Sequence, residues 1–333
     1  MTWFGPAVDA ALEICVVPGF SRIGLAVRSA LLPEFTAGDP PAAGGRTVVI
    51  TGATSGIGYA AAVALARRGA VVHFLARDRG RAEQARRGIA AASGSAAISY
   101  GLADLEDLNS VRAFARQFRA THDRLDVLIQ NAGAVHPAFR TDGTGTELTV
   151  LGQVAAPFLL TRMLMPALLA AAPSRVITVS SGGMYTAKLD VDDPQLEGQD
   201  YSGNRFYAHT KRAEVVLGDE WARRLAPDVQ VFSMHPGWVA TPGLAESLPG
   251  FDRWAKPLLR DPAGGADTIV WLAGSPELRG QTGGFWHDRR RRSEHRVPRT
   301  RETAEERSRF FAECERLAGV EVPADMETEA ARA

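Results

Sequence analysis

From Thr47 onward the chain alternates short runs of branched apolar residues with longer stretches whose apolar positions recur every three or four residues. The apolar runs are Thr47–Ile50, Val71–Leu75, Ala97–Leu102, Val127–Ile129, Val176–Val179 and Val229–Met234, each followed by a helix-like stretch. Runs of Val, Ile and Leu without polar alternation suit strands covered on both faces, and such strands belong to a parallel sheet joined by crossover helices. The pattern predicts a doubly wound α/β fold with helices on both faces of the sheet. A last short strand is expected at Gly284–Trp286, after a helix over Ala266–Ala273.

The ends of the chain read differently. Phe4, Val8, Ala11 and Cys15 recur at helical steps, which predicts an amphipathic helix packed on the main domain. Peripheral membrane contact is the other reading, disfavoured because the polar face carries acids where membrane-surface helices use lysines. Asp9, Glu13, Arg22 and Arg28 break the first thirty residues, and the longest charge-free stretches there fall far short of the roughly 20 apolar residues of a membrane span. With no basic residue before Arg22, the positive start of a secretory signal is missing, so the protein is expected to be cytoplasmic. Residues 36–45 read as a linker. The chain thus divides into an N-terminal extension over 1–45, one α/β domain over 46–287 and a charged C-terminal extension over 288–333.

That last extension splits in sign. Residues 287–301 hold seven arginines, including the run Arg289–Arg292, against two acids; residues 302–333 hold nine acids against four arginines. The run lacks an aromatic platform or a binding fold, which argues against nucleic acid. Thr303 and Glu306 form a capping box for a helix through Ala318, with Phe310, Cys314 and Leu317 on one face and Gly319 as its stop. The helix docks on its own domain or pairs with a second copy in a homo-oligomer. Over all 333 residues, 38 basic side chains balance 38 acidic ones, so a partner recognised through a net basic field is excluded. Only two cysteines occur, too few for a disulfide framework or a cysteine-ligated metal, which fits a reducing compartment.

The first chemical signal is Thr51-Gly52-Ala53-Thr54-Ser55-Gly56-Ile57-Gly58, directly after the first strand and opening an Ala-rich helix. Its glycines permit a tight turn and let the backbone approach a pyrophosphate, whose charge a helix N-terminus favours. Three residues separate Gly52 from Gly56, where the G-x-G-x-x-G fingerprint has one.

That string, followed by Asn131-Ala132-Gly133, Ser181, Tyr207-Ala-His-Thr-Lys211 and Pro236-Gly237 at successive strand ends, resembles the short-chain dehydrogenase/reductase family over residues 46 to about 287. The strings VITVSSGGM, SMHPGW and GADT, with the N-terminal extension, look most like its member-12 type. The resemblance implies a single Rossmann-like domain, a nicotinamide cofactor and carbonyl/alcohol interconversion.

A reduction needs a hydride donor on one face of a carbonyl and a proton donor at its oxygen. Tyr207 suits the second role if its phenol, ordinarily of pKa about 10, is made more acidic. Lys211 lies four residues on, on the same helix face, where its ammonium favours the phenolate. Tyr59, Tyr100, Tyr185 and Tyr201 have no lysine at that spacing. Ser180 and Ser181 end the fifth strand at the carboxyl edge, where open α/β sheets bind ligands. The family pattern selects Ser181 to hold the carbonyl oxygen and leaves Ser180 as a strand-end cap. It also places Gln153 where an asparagine usually supports the lysine through a water.

At the end of the second strand Ala76 occupies the place of an acid that would bond the ribose of NAD. Arg77 follows, and its planar fork suits a 2′-phosphate, so NADP is expected over NAD. Asp78 competes or caps the next helix. Asp104-Leu105 resembles the family's adenine contact, or is a helix-start acid. Asn131 pins the sheet centre while Ala132 and Gly133 leave room for the ribose. Pro236-Gly237-Trp238-Val239-Ala240-Thr241 resembles the stretch clasping the nicotinamide, with His235 beside it as a packed residue. The excursion Gly182–Gly203, with its five acids, is expected to be a solvated loop over the substrate and not a metal site. In Pro242–Leu259, the residues Leu244, Leu248, Phe251, Trp254 and Leu258 form either a lid over an apolar carbonyl or alcohol or a helix packed on its neighbour. Intact Ser181, Tyr207 and Lys211 favour an enzyme over a nucleotide-binding sensor or scaffold that retains the fold.

Overall fold

The computed structural model describes residues 5–36, 44–196 and 200–320. Four helices precede the sheet: α1 (Gly5–Ile14), α2 (Val16–Phe20), α3 (Arg22–Leu31) and α4 (Pro33–Thr36). Strands and helices then alternate through β1 (Thr47–Thr51), α5 (Gly56–Arg67), β2 (Val71–Ala76), α6 (Arg79–Ser93), β3 (Ile98–Leu102), α7 (Leu108–Thr121) and β4 (Val127–Gln130). A helical stretch follows, made of α8 (Leu148–Val150), a π-helical turn (Leu151–Ala155) and α9 (Ala156–Ala170). Next come β5 (Ser174–Val179), α10 (Gly203–Leu225), β6 (Val229–Met234), α11 (Pro242–Ser247), α12 (Pro249–Ala255), α13 (Pro262–Gly274), β7 (Phe285–His287), β8 (Arg290–Arg292) and α14 (Ala304–Ala318).

The sheet runs β3-β2-β1-β4-β5-β6-β7-β8. All seven expected strands are present and parallel. Side chains alternate between two cores: Val49, Leu128, Val176 and Val231 pack with α7, α9, α10 and α14. Val48, Ile50, Ile129, Ile177 and Phe232 pack with α5, α6 and α13 on the other face. Burial on both faces is why both sets of alternating positions in these strands are dominated by Val, Ile, Leu and Phe. Strand order reverses between β1 and β4, and the crevice at their carboxyl ends is where such sheets take ligands.

The eighth strand was not expected. β8 pairs antiparallel with β7, its residues are three arginines, and the sheet therefore continues past residue 287. An edge strand of charged residues shows no apolar run, and its arginines serve the N-terminal extension. Arg290 and Arg292 donate to Asp9 of α1, Arg290 also to Glu34, and Arg289 to Asp267 and the Glu34 carbonyl.

The amphipathic reading of α1 holds in kind but is inverted in direction. Phe4 lies outside the described residues, Ala11 and Cys15 are exposed and Ile14 is 79% exposed, while the buried residues of α1 are Gly5 and Asp9. Charge outweighs apolar area here. Arg28 of α3, fully buried, donates to Asp9 at 2.7 Å, to Asp288 at 2.7 Å and to the Gly19 carbonyl at 2.7 Å. Burial alone would raise the Asp9 carboxyl, yet Arg292 and Arg28 hold it down at about 2. The extension is thus folded onto the domain. Residues 37–43 of the expected 36–45 linker and the tail beyond 320 lie outside the described residues.

The capping box at Thr303 and Glu306 starts α14, and Gly319 ends it in the left-handed region with φ +59°. Its Phe310, Phe311, Cys314 and Leu317 are buried, Phe311 lying edge-on to Phe158 of α9 and Trp221 of α10. Of the two expected placements, this helix takes the one on its own domain.

Candidate active site

The glycine turn joins β1 to α5 at the reversal of strand order. Gly52 and Gly56 have φ +70° and +57°, where a side chain would be strained. A Cβ on Gly58 would lie 2.4 Å from Asn131 Nδ2 and from the Gly52 carbonyl oxygen, so the turn and the end of β4 touch through bare backbone. Asn131 Nδ2 donates to the carbonyls of Thr51 and Gly52, while Thr51 Oγ1 accepts from the backbone of Asn131 and Ala132. Asn131 therefore pins the centre of the sheet as expected. Ser55 precedes α5 without a side-chain capping bond, leaving first-turn N–H groups for an anion. From the far side, a Cβ on Gly56 would lie 3.1 Å from Thr241, and one on Gly265 would meet Val239 and Ile57. The Pro236–Thr241 loop thus lies close against the glycine turn and the start of α5.

At the tip of β2, Arg77 is two-thirds exposed and 3.8 Å from Glu106. Asp78 caps α6 by accepting from Arg81 N at 2.7 Å, the second of the two roles read for it. Asp104 closes its own turn by accepting from Glu106 N, and Leu105 leans on the core.

On α10 the four-residue spacing brings Tyr207 and Lys211 together, with Lys211 Nζ 5.4 Å from the centroid of the Tyr207 ring. Tyr207 is half-buried; Lys211 is buried, donating to the Val179 carbonyl at 3.1 Å and to Glu214 at 2.7 Å. Burial works against the charged lysine, but Glu214 and Tyr207 together outweigh it and raise its pKa above the ordinary value. The two serines divide their work. Ser180 Oγ is buried and donates to the Lys211 carbonyl at 2.7 Å, stitching β5 to α10. Ser181 is half-buried and caps the short turn Gly182–Thr186. A Cβ on Gly183 would lie 3.6 Å from Ser181 Oγ and 3.9 Å from Ala208, so Ser181 stands beside the Tyr207 turn of α10.

Gln153 sits in the π-helical turn, buried, its Nε2 donating to the Ala134 carbonyl at 2.7 Å. Its Oε1 has no partner, and a Cβ on Gly133 would lie 3.3 Å from that oxygen and 3.2 Å from Lys211 Nζ. Amide and ammonium converge on Gly133 despite the extra methylene. His235 is packed, stacked on His287 at 3.9 Å, and burial and then His287 drive its pKa well down. In the Gly182–Gly203 excursion Glu197 lies outside the described residues; Asp190 accepts from the backbone of Asp192 and Asp193, and Leu189 is buried in the core. No metal-binding cluster occurs among the described residues.

The sequence did not point to the N-terminal extension as a wall of this region. The Phe20 carbonyl accepts from Trp238 N at 2.8 Å, and buried Arg260 gathers the carbonyls of Gly19, Phe20, Ser21 and Pro236 together with Asp288. A Cβ on Gly182 would strike the Phe20 ring at 2.7 Å. Trp238 meets Phe20 on one side and Phe251 and Trp254 of α12 on the other. Only the apolar pattern of residues 1–31 hinted at docking, and nothing in it named the target.

A family model described as short chain dehydrogenase matches residues 46–250. Dehydrogenase/reductase SDR family member 12 of Bos taurus is 40% identical over 276 residues, 82% of this chain and 86% of that protein. Retinol dehydrogenase 14 of Mus musculus is 37% identical over 270 residues, 75% of this chain and 80% of that one. A solved structure from Beutenbergia cavernae, a candidate NAD(P)-dependent gluconate 5-dehydrogenase with NADP bound at low occupancy, is 28% identical with a TM-score of 0.61, covering 75% of this chain and 97% of its own. Agreement in sequence and in fold over most of both chains makes this protein a member of the short-chain dehydrogenase/reductase family.

Proposed function

We propose that this oxidoreductase moves a hydride between NADP(H) and an apolar carbonyl or alcohol, with Tyr207 as the acid/base. The buried Lys211 ammonium beside the Tyr207 ring carries the reading. The nicotinamide, when bound, supplies or accepts the hydride. Tyr207 gives its phenolic proton to the carbonyl oxygen in reduction and takes one from the alcohol in oxidation. Lys211 stabilises the phenolate that reduction leaves behind, at a site where burial strengthens the attraction. Ser181 holds the substrate oxygen, and Gln153 orients Lys211 from the π-helical turn, a kind of irregularity often found at functional sites.

For the cofactor, the turn over Gly52, Thr54, Ser55, Gly56, Ile57 and Gly58 takes the pyrophosphate. Ala132 and Gly133 leave space for the ribose, Asp104 and Leu105 flank the adenine, and Pro236, Gly237, Val239 and Thr241 clasp the nicotinamide. Exposed Arg77 at the tip of β2 supports NADP, since its guanidinium, held only by a 3.8 Å ion pair with Glu106, presents its fork to a 2′-phosphate. Substrate enters between Trp238 and the short helices α11 and α12, whose only buried residue is Ala255 and whose Trp254 is 60% exposed. So thinly packed a pair of helices suits a lid more than a core element. Exposed Cys15 and buried Cys314, both unpaired, fit a cytoplasmic protein. A carbonyl library screened by NADPH oxidation tests the reading: apolar ketones or aldehydes should turn over, and a protein that binds NADPH yet reduces none of them would overturn it. The ratio of NADPH to NADH affinity should fall at least about 10-fold in Arg77→Ala, the loss of one charge-assisted phosphate contact.

A further inference from the structure

Helix α10 carries a third titratable group into the site beside Tyr207 and Lys211, one that the reaction above does not use. Glu214 lies one turn beyond Lys211 and is buried. Its Oε1 accepts from Lys211 Nζ at 2.7 Å, and its Oε2 has no hydrogen-bond partner. The ammonium is thus held between a carboxylate on one side and the Tyr207 ring on the other. The charged or titratable groups acting on Lys211 are Glu214 and Tyr207, and on Glu214 only Lys211. From β5 and the π-helical turn the pair is faced by uncharged groups, the Val179 carbonyl and the neighbourhood of Gln153 Oε1. A buried carboxylate with one oxygen unpaired is costly to keep in a core, and what it touches is the ammonium that the Tyr207 phenolate needs.

We propose that Glu214 is a positioning residue of this reaction: it fixes the Lys211 ammonium and offsets its charge, keeping the Tyr207 phenol protonated and biased toward reducing carbonyls. The proposal rests on the roles of Tyr207 and Lys211 given above. A lone ammonium in a dry site favours the phenolate strongly, whereas an ammonium backed by a carboxylate presents a dipole whose effect falls off faster with distance. A protonated phenol is the form that delivers a proton to a carbonyl oxygen; oxidation of an alcohol requires the phenolate. Burial raises the Glu214 carboxyl to about 7 against the pull of Lys211, so the offset weakens as pH falls through neutrality.

The test is a titration of the full chain labelled with 13Cζ-tyrosine, which has five tyrosines; the Tyr207 resonance is the one missing from Tyr207→Phe. Glu214→Gln keeps a hydrogen bond to Lys211 and removes the charge. It should lower the Tyr207 midpoint by about one pH unit, the size of a nearby charge effect in a partly screened site. The same substitution in a Lys211→Met background should move it by less than about 0.3 units, because without the ammonium burial leaves the Glu214 carboxyl protonated and there is no charge for glutamine to remove. In the unmodified protein, the Tyr207 shift should show a small step near pH 7 as Glu214 titrates, a readout that does not depend on any variant folding. An unmoved midpoint in folded Glu214→Gln, an equal movement without Lys211, or no step near pH 7 would each overturn the proposal. A protein that reduces no carbonyl but shows the shift and the step would overturn the proposed function and leave this coupling standing.

Discussion

Replacing Arg28 by Met tests whether the N-terminal extension is bonded to the domain or merely lies on it. The guanidinium has no exposed surface and ties Asp9, Asp288 and the Gly19 carbonyl at 2.7 Å each. Methionine fills much of the volume but leaves two buried carboxylates short of a partner. Breaking a buried charge network in this way costs about 3–5 kcal/mol. Asp9 keeps Arg292 and Asp288 keeps Arg260, which puts the expected cost near the lower end, about 3 kcal/mol. For a chain of this size, whose unfolding entropy is about 0.7 kcal/mol/K, that is a fall in Tm of roughly 4 °C. The pH dependence should change with it. Asp9 has its pKa lowered from 3.8 to about 2 in the folded protein, so its stabilisation is present above about pH 4 and is lost as pH falls toward 2, about 2 kcal/mol in all. Arg28→Met should flatten that acid limb. Thermal melts followed by near-ultraviolet circular dichroism, from pH 7 down to pH 2.5, measure both quantities. A Tm within 2 °C of the unmodified protein and an unchanged acid limb would refute the bonded extension.

Other substitutions follow from the same geometry. Gly58→Ala puts a methyl 2.4 Å from Asn131 Nδ2 and the Gly52 carbonyl oxygen, so NADPH affinity should fall at least about 10-fold by fluorescence titration. Ser180→Ala should lower stability by about 1 kcal/mol in urea melts through its lost bond to the Lys211 carbonyl. Ser181→Ala should cost no more than that, its longer 3.2 Å cap to Gly183 N being part-buried, and should lower turnover where Ser180→Ala does not; the reverse outcome would exchange the two roles. His209 is held neutral, burial driving its pKa to about 4, while the unfolded chain takes up the proton near 6.5. Stability should therefore fall as pH drops from 6.5 toward 4, and His209→Gln should reduce that slope in melts across the same range.

The parts of the fold that were legible in the chain share one physical property: their local pattern and their tertiary role agree. Strands such as β1 and β4, covered on both faces, must be rich in Val, Ile and Leu, and the sequence says so. Where a residue's role depends on a distant partner, local pattern misleads. Asp9 reads as the polar face of α1 and is its buried face, because Arg28 and Arg292 wait for it. Arg290–Arg292 read as a charged tail and form an edge strand. At the site, the Tyr207–Lys211 spacing and the glycine turn were readable because helix geometry and backbone sterics act over a few residues. Glu214 stands at a legible i+3 spacing from Lys211, but an acid three residues from a lysine on a helix reads as a surface pair; only burial gives it another meaning. Phe20 and Arg260, which lock the Pro236–Thr241 loop to the extension, are 240 positions apart, and no local signal joins them.

The most direct measurement compares the unmodified protein with Tyr207→Phe, recording NADPH affinity by fluorescence and carbonyl-dependent NADPH oxidation on the same samples. Removing one hydroxyl should leave the affinity within about twofold and lower turnover by at least about 100-fold, the share expected of a positioned proton donor. A Tyr207→Phe protein that reduces carbonyls as fast as its parent would contradict the assignment of the acid.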